Sequence, residues 1–308
     1  MRTLVRWLEQ SRICRSHGRS VIIALPYLWL LIFFLAPFLV VLKISVSTIA
    51  DGIPPYAALL AGNEKDGLKL ALHFENFGYL FSDDIYALAY LSSLRNAALT
   101  TLLCLLLGYP MAYAIARTRP AWRGPLLMLV IMPFWTSFLI RVYAWIGILK
   151  QNGLINNFLA GLGVIDQPLP LMNNLFSVTL GMVYGYLPFM VLPLYATLEK
   201  MDLTLIEAAS DLGARPLRVF WSITLPLSLP GIVAGSLLVF IPAVGEYVIP
   251  TLLGGADTFM IGTQLWNEFF SNRDWPVASA VTVALVFLLL GPLMVLQWAQ
   301  SRRPVGRL

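Results

Sequence analysis

Six long stretches that carry almost no charge are the feature that most limits how this chain folds. They cover approximately residues 21–42, 92–116, 126–149, 175–198, 223–250 and 277–299. A helix needs about 20 apolar residues to cross the hydrocarbon core of a bilayer. Backbone groups that face lipid must find hydrogen-bond partners within the spanning segment, which favours helices. The sequence therefore predicts an all-α integral membrane protein with six transmembrane helices.

The overall composition argues against the soluble alternatives. Hydrophobic residues make up 58% of the 308 residues and charged residues only 12%, whereas soluble domains carry about 25% charged residues. This balance excludes a disordered chain and makes a water-soluble globule a poor interpretation. Six spans and their loops leave too few residues for a separate catalytic domain. A channel, a carrier or a transporter subunit is therefore favoured.

The distribution of lysine and arginine predicts the orientation of the chain. Fourteen basic residues fall in residues 1–20, 117–123, 199–222 and 299–308, and five fall in the segments on the opposite side. Because cytoplasmic loops are enriched in Lys and Arg, we predict a cytoplasmic N-terminal arm and tail and a periplasmic loop at 43–90. The first apolar stretch exceeds the 7–15 residues of a signal-peptide core, so we expect it to be retained. The acidic excess outside either attracts cations or follows simply from keeping basic residues inside.

Several motifs for catalysis are missing from the sequence. It contains no G-x-x-x-x-G-K-S/T phosphate loop, no H-E-x-x-H zinc motif and no G-x-S-x-G nucleophile turn. His17 and His73 are its two histidines, and the predicted orientation places them on opposite sides of the membrane, where they cannot share a metal ion. We therefore predict a non-catalytic chain with no cofactor or metal of its own and no nucleic-acid partner.

The connection between the fourth and fifth predicted spans, residues 199–222, has the pattern of a helical loop. Thr204 and Glu207 have the spacing of a capping box. Gly213 suits the C-terminus of a helix, and a second short helix is predicted over 217–224. Two helices in an L-shaped arrangement that projects from the cytoplasmic face fit this pattern. An amphipathic hairpin that lies on the membrane surface fits it equally well.

The same loop resembles the conserved cytoplasmic loop of the membrane subunits of bacterial ABC importers. The shared pattern is Glu-Ala-Ala at 207–209, Gly213, Ile223 and Leu-Pro at 225–226. In that family the loop forms a coupling helix that seats in a groove of a separate ATPase subunit. The resemblance implies eight ATPase-coupling positions in this chain: Glu207, Ala208, Ala209, Asp211, Leu212, Gly213, Ala214 and Arg215.

Five further motifs resemble permease subunits of polyamine importers, most of all those of the putrescine type. They are Arg141-Val-Tyr-Ala-Trp145, Leu187-Pro-Phe-Met190, Gly245-Glu-Tyr-Val-Ile-Pro250, Leu253-Gly-Gly255 and Asn272-Arg-Asp-Trp-Pro276. The resemblance covers essentially the whole sequence and implies a type I ABC permease domain at residues 91–298. It further implies an ATP-driven importer in the bacterial inner membrane, with this chain forming half of the translocation pathway.

The resemblance also implies the partners of the chain. They are a second, similar but non-identical permease, two ATPase subunits that use the ATP, and a periplasmic polyamine-binding protein. Alternatives stay open at the level of the sequence. The substrate is spermidine or another small cationic solute, or the chain is a self-contained secondary carrier in which Glu246 relays protons. A non-transporting scaffold that holds cytoplasmic partners is the third alternative.

Ionisable residues in the predicted spans are candidates for function because they are costly in a bilayer. Arg95 lies at the outer mouth of the second span and can reach the interface. Arg141 and Glu246 lie deeper, in the third and fifth spans. Glu246 either faces the pathway and attracts an ammonium group or forms a structural ion pair with Arg141. Pro242, four residues before Glu246, predicts a kink in the helix.

Aromatic side chains close to these charges are candidate surfaces for a cation, since ring faces attract positive charge. They are Trp135, Tyr143, Trp145, Tyr184, Tyr186 and Tyr247. Many such residues are interface anchors instead. We prefer Tyr143 and Tyr247, and the predicted pathway consists of Glu246 with these two tyrosines, Trp145 and Trp135.

Overall fold

The computed structural model of the protein describes residues 23–63, 67–70, 72–256 and 258–301. The predicted N-terminal arm, the first two residues of the first span and most of the tail lie outside this part of the chain. Two compact units are formed. The central unit is Asp83–Asn267, and the terminal unit combines the described residues before Asp83 with those after Asn267.

Helices account for most of the described chain. In chain order they are α1 (Ile23–Ser45), α2 (Glu75–Ser82), α3 (Asp84–Arg117), α4 (Pro120–Ile131), α5 (Phe138–Leu149), α6 (Leu154–Gly161), α7 (Leu175–Glu199), α8 (Thr204–Asp211), α9 (Pro216–Val244), α10 (Val248–Leu253), α11 (Ile261–Trp266) and α12 (Trp275–Ser301). One antiparallel hairpin, β1 (Leu60–Asn63) and β2 (Gly67–Leu70), pairs Leu60 with Leu70. It adds two short strands within the predicted 43–90 loop.

The long apolar helices confirm the prediction of an all-α membrane protein. Of the described helices, α1, α3, α7 and α9 are each long and apolar enough to cross a membrane. The segment that contains α4 and α5 passes the same test only as a bent pair, and the apolar part of α12, Trp275–Gly291, is shorter. The exact count of six spans therefore stays a prediction.

The third predicted span is divided into two helical halves instead of forming one continuous helix. The halves, Pro120–Trp135 and Phe138–Gly161, are bent by 89°. A 3₁₀ turn that contains Pro133 ends the first half, and Thr136, which follows it, is extended. Proline lacks the N–H that would continue the α-helical hydrogen bonding. The apolar composition of the segment did not reveal this break.

The fifth predicted span differs from expectation at both ends. α9 begins at Pro216 and passes through a π-helical stretch, Phe220–Thr224, so the separate short helix predicted over 217–224 is the start of the span. At its other end the helix continues past Pro242 and stops at Val244. The last residues assigned to this span from the sequence belong to α10.

Close approach between helices organises the central unit, where α3, α7 and α9 pack against one another. Two Gly-x-x-x-Gly sequences, at 181–185 in α7 and 231–235 in α9, predict such packing. A Cβ atom at Gly231 would lie 2.9 Å from the Pro193 carbonyl oxygen, and one at Gly235 would lie 3.1 Å from the Met190 carbonyl oxygen. These distances confirm that the glycines of α9 allow its backbone to approach that of α7.

Polar and aromatic contacts fix the chain around α12 in the terminal unit. α12 packs against both α1 and α2. The Asn76 side-chain amide donates hydrogen bonds to the carbonyl oxygens of Ser45 (2.9 Å) and Ser47 (2.8 Å), which ties α2 to the end of α1. The ring of Trp275 stacks on that of Phe269, with centroids 4.9 Å apart, at the start of α12.

Candidate functional site

A buried carboxylate lies at the break between α9 and α10. α9 ends at Val244, and α10 begins at Val248. Between them, Glu246 is only 9% exposed. Gly245 is the C-cap residue of α9, and its N–H donates to the Ala243 carbonyl oxygen. The break therefore places an acidic side chain inside the central unit, where its oxygens need hydrogen-bond donors.

Three donors satisfy the Glu246 carboxylate. Its Oε1 accepts hydrogen bonds from the backbone N–H groups of Val248 (3.0 Å) and Ile249 (3.3 Å) at the start of α10. Its Oε2 accepts a hydrogen bond from the Tyr186 hydroxyl of α7. Free N–H groups at a helix start favour a negative charge, and hydrogen bonds to an ionised acceptor are stronger than neutral ones. The arrangement suits an ionised carboxylate.

Helix α11 holds the backbone of the break from one side. A Cβ atom at Gly262 would lie 2.5 Å from the Glu246 carbonyl oxygen and 2.6 Å from that of Gly245, so only glycine fits there. The Tyr247 and Trp266 rings stack, with centroids 4.4 Å apart and planes 15° apart. These two contacts with α11 hold the backbone at 245–246 and the ring of Tyr247 in place.

Helix α10 is fastened to the beginning of α7. The Leu253 carbonyl oxygen accepts hydrogen bonds from the Ser177 hydroxyl (2.7 Å) and the Asn173 N–H (3.0 Å). Ile249, which is fully buried, packs beside Gly181, where a Cβ would lie 3.0 Å from its Cγ2. Because α10 cannot shift easily along α7, the two backbone donors of Glu246 are fixed in place.

Arg141 has a different environment from the one that an ion pair would give it. Its guanidinium carbon lies 5.2 Å from the ring centroid of Phe134 and 5.6 Å from that of Phe138, within the range of cation–π contacts. Its Nε is buried and has no hydrogen-bond partner among the described residues. In this part of the chain no ion pair joins Arg141 to Glu246, so the structural pair considered from the sequence is not formed.

A row of aromatic contacts connects the two charged residues indirectly. Phe134, below Arg141, contacts Phe189 with ring centroids 5.2 Å apart. Phe189 contacts Tyr186 at 6.3 Å, and Tyr186 donates to Glu246. Arg141 and Glu246 thus lie at opposite ends of one row of aromatic rings. The rings keep the two charged groups apart, and they link the two side chains through a continuous set of packing contacts.

The predicted pathway residues are only partly brought together. Tyr247 lies next to Glu246 at the break, but the hydroxyl that contacts the carboxylate belongs to Tyr186 instead of the preferred Tyr143. Tyr143 is 58% exposed and Trp135 is 68% exposed, while Trp145 packs edge-to-face on another tyrosine, Tyr184. Sequence reasoning missed the partners Phe134, Phe189 and Trp266. The Leu187-Pro-Phe motif beside Tyr186 was the feature closest to this site.

The predicted coupling loop is an exposed helix with a well-formed end. α8 has no buried residue among its eight. The Gly213 N–H donates to the Ser210 carbonyl oxygen (2.8 Å) and the Ala214 N–H to that of Ala209 (3.0 Å), which is the Schellman pattern. Gly213 has φ +78°, as this motif requires. The expectation that Gly213 ends the helix is confirmed.

The start of α8 differs from the predicted capping box. Thr204 is the first helical residue, and its N–H donates to the Asp202 carboxylate at 3.0 Å. Leu203 occupies the cap position and makes no side-chain cap hydrogen bond. The predicted capping box between Thr204 and Glu207 is therefore wrong. The Asp202 carboxylate accepts the hydrogen bond at the start of α8 instead.

Two leucine side chains of the loop are largely exposed. Leu212 is 88% exposed and Leu217 is 74% exposed, and Glu207 and Ala208 are exposed beside them. Exposed leucines that a short, well-ended helix holds in place are typical of a contact surface for another protein. The loop is accordingly suited to docking.

Within the described residues, no group of three or more His, Cys, Asp or Glu side chains could hold a metal ion.

Comparison with known proteins defines the fold and the family of the chain. The chain shares its fold with the bacterial alginate ABC transporter crystallised with an alginate-bound periplasmic protein (TM-score 0.63, 18% identity, 96% of this chain and 98% of that chain). The fold is that of the membrane subunit of a type I ABC importer. The chain belongs to the family of binding-protein-dependent transport system inner membrane components, whose family model matches residues 85–303.

Two relatives are similar over nearly their full length. The spermidine/putrescine transport system permease protein PotB of Haemophilus influenzae is 38% identical over 278 residues, which are 90% of this chain and 92% of that protein. The protein of the same name from Escherichia coli is 39% identical over 274 residues, which are 89% of this chain and 94% of that protein. Both alignments are longer than the family domain.

Proposed function

We propose that this chain is one membrane-spanning half of an ATP-driven polyamine importer, with putrescine as its substrate. The observation that carries the proposal is a buried, hydrogen-bonded carboxylate, Glu246, in a chain similar along its length to permeases named for spermidine and putrescine. A diamine is positively charged at neutral pH and must lose hydration as it enters the membrane. A fixed carboxylate offsets part of that loss.

Within the pathway, Glu246 contacts an ammonium group of the substrate and aromatic rings provide the rest of the wall. Tyr247 lies beside the carboxylate. The faces of Tyr143 and Trp135 are open to a cation that passes through the half-pathway. Trp145 lies on the same helix as Tyr143, and its ring packs on Tyr184. Each ring contributes about 0.5–2 kcal/mol to binding a cation. Several weak contacts of this kind allow a substrate to bind and also to leave.

Coupling to ATP hydrolysis takes place through α8 and the turn that follows it. The chain supplies Glu207, Ala208, Ala209, Asp211, Leu212, Gly213, Ala214 and Arg215 to a groove of a partner ATPase, which binds and hydrolyses the ATP. The exposed leucine at 212 and the absence of any buried residue within α8 support this contact. This chain itself needs no cofactor.

The complete transporter contains a second, non-identical permease, two ATPase subunits and a periplasmic polyamine-binding protein in the bacterial inner membrane. Both termini of this chain face the cytoplasm. The excess of lysine and arginine in the alternate segments supports this orientation. Spermidine is the second candidate substrate, because the relatives are named for both amines.

Substrate uptake by charge-neutralised variants tests the proposal. Cells that lack their own polyamine uptake would express the complete transporter with Glu246→Gln, which keeps the shape of the side chain but removes its charge. Putrescine uptake should fall at least tenfold, while the amount of assembled complex stays near that of the unmodified transporter.

Glu199→Gln is the matched control. Glu199 is 39% exposed and pairs with Arg123 at 3.3 Å, and exposed pairs contribute little. Its uptake should stay close to normal. Full putrescine uptake by Glu246→Gln would contradict the proposed pathway, and uptake of spermidine but not putrescine by the unmodified transporter would assign the other amine.

A further inference from the structure

Tyr186 has a specific place in the proposed site. We propose that its hydroxyl occupies, in the substrate-free chain, the position on Glu246 that a substrate ammonium group takes. Exchange of one donor for the other then determines how tightly the site binds amines. This inference rests on the proposed contact between Glu246 and the substrate, and it makes Tyr186 a positioning residue that sets affinity.

The two carboxylate oxygens of Glu246 have different kinds of donor. Oε1 is held by two backbone N–H groups of α10, at 3.0 and 3.3 Å. Oε2 is held by a single side-chain hydroxyl, that of Tyr186. An ionised carboxylate can accept about four hydrogen bonds, and three donors already surround this one. Because Glu246 is only 9% exposed, an ammonium group reaches it only by taking the space of one of these donors.

The backbone donors are not able to leave. They belong to α10, whose far end is fastened to α7 through the Leu253 carbonyl oxygen, and Ile249 is fully buried beside Gly181. Moving them would unpack the helix. The amide side of the carboxylate is therefore fixed.

The hydroxyl is the donor that can exchange. Tyr186 is only half-buried, and its ring neighbour Phe189 is 38% exposed, so a change of the Tyr186 χ1 angle separates the hydroxyl from Oε2 without moving the backbone. A hydroxyl donates one hydrogen bond, whereas an ammonium group has three donors and a full charge. Both bonds are charge-assisted because the acceptor is ionised, but only the ammonium group adds the attraction between opposite charges. The ammonium group is thus the better partner for Oε2.

Removal of the hydroxyl distinguishes exchange from the other roles that Tyr186 could have. If the hydroxyl competes with the substrate, a phenylalanine leaves Oε2 without a donor and binding becomes tighter. If the hydroxyl instead helps to hold the substrate, the same change makes binding weaker. Loss of a hydrogen bond to a charged group shifts an equilibrium by about tenfold or more. The sign of the change is therefore measurable.

The test uses the complete transporter in lipid nanodiscs, without the binding protein, and radiolabelled putrescine at equilibrium. Tyr186→Phe keeps the ring and should bind putrescine about tenfold more tightly than the unmodified complex. Tyr195→Phe is the matched control, because Tyr195 lies on the same helix and interacts with a different carboxylate, that of Glu199. Its affinity for putrescine should be unchanged. Glu246→Gln should bind more weakly than either.

Each outcome decides between the claims. Equal, weaker or undetectable binding by Tyr186→Phe overturns the exchange. Unchanged binding by Glu246→Gln instead removes the proposed pathway contact, and with it the basis for the exchange. If Tyr186→Phe does not assemble, Tyr186→Met also lacks the donor and should show the same tighter binding. Failure of both variants to assemble would assign Tyr186 a structural role and overturn the proposal.

Discussion

Replacement of Gly262 by alanine tests whether α11 holds the break that positions Glu246. The added Cβ would lie 2.5 Å from the Glu246 carbonyl oxygen and 2.6 Å from that of Gly245, whereas real Cβ contacts stay above 3.0 Å. Both neighbours are backbone atoms, which cannot rotate away as a side chain would. Either α11 or the break must therefore move by about 0.5 Å.

The magnitude follows from two opposing terms. Forcing a methyl group into a packed site costs about 1–3 kcal/mol, and alanine recovers about 1 kcal/mol of helix propensity relative to glycine. Gly262→Ala should thus destabilise the complex by up to about 2 kcal/mol. Gly147→Ala in α5 is the matched control, because its Cβ meets no atom within 4 Å. That variant should gain up to about 1 kcal/mol.

The assay compares thermal unfolding of the purified complexes and putrescine uptake by the same variants. Gly262→Ala should unfold at a temperature several degrees below that of Gly147→Ala, and its uptake should fall because the displaced backbone carries Glu246 with it. Equal unfolding temperatures together with normal uptake would refute the reasoning. The break would then be soft enough to absorb the methyl group, and α11 would not be what positions the carboxylate.

Two further substitutions address the loop and the orientation. Gly213 has φ +78°, so Gly213→Val should strain the turn and reduce co-purification of the ATPase several-fold. Asparagine tolerates this conformation, so Gly213→Asn should retain most of the co-purification. Equal co-purification of the two variants would contradict the coupling role. Ser11→Cys, in a chain that also carries Cys14→Ser, should resist an impermeant thiol reagent added to intact cells, and labelling from outside would reverse the proposed topology.

The sequence predicted the elements whose cause is local. Long apolar stretches indicate helices in a bilayer wherever they occur. α7 follows its predicted segment, 175–198, closely, and α3 contains its predicted segment, 92–116, but begins at Asp84. Gly213 ended α8 as expected because a left-handed residue after a helix is a local requirement that glycine meets best. Each of these predictions depended only on a few neighbouring residues and on whether the segment lies in lipid or in water.

The rest depends on contacts between distant parts of the chain. Nothing within 126–149 distinguishes a bent pair from a straight span, since Pro133 is tolerated in many membrane helices. Likewise Tyr186 and Glu246 are 60 residues apart, and their pairing is fixed by the packing of α10 on α7. From the sequence, Arg141 is a candidate partner of Glu246 because the two carry opposite charges. In the structure the Glu246 carboxylate accepts hydrogen bonds from the start of α10 and from Tyr186 instead.

The wide turn at Phe220–Thr224 affects how this chain tolerates changes in its length. A π-helical turn closes its hydrogen bonds over one more residue than an α-helical turn does. Deleting one residue within 220–224 would therefore restore ordinary winding without rotating the helix on either side. A deletion between 225 and 230 would turn every later side chain by about 100° and remove Gly231 and Gly235 from their contacts with α7. Loss of a single codon within α9 is thus most readily accommodated at this turn.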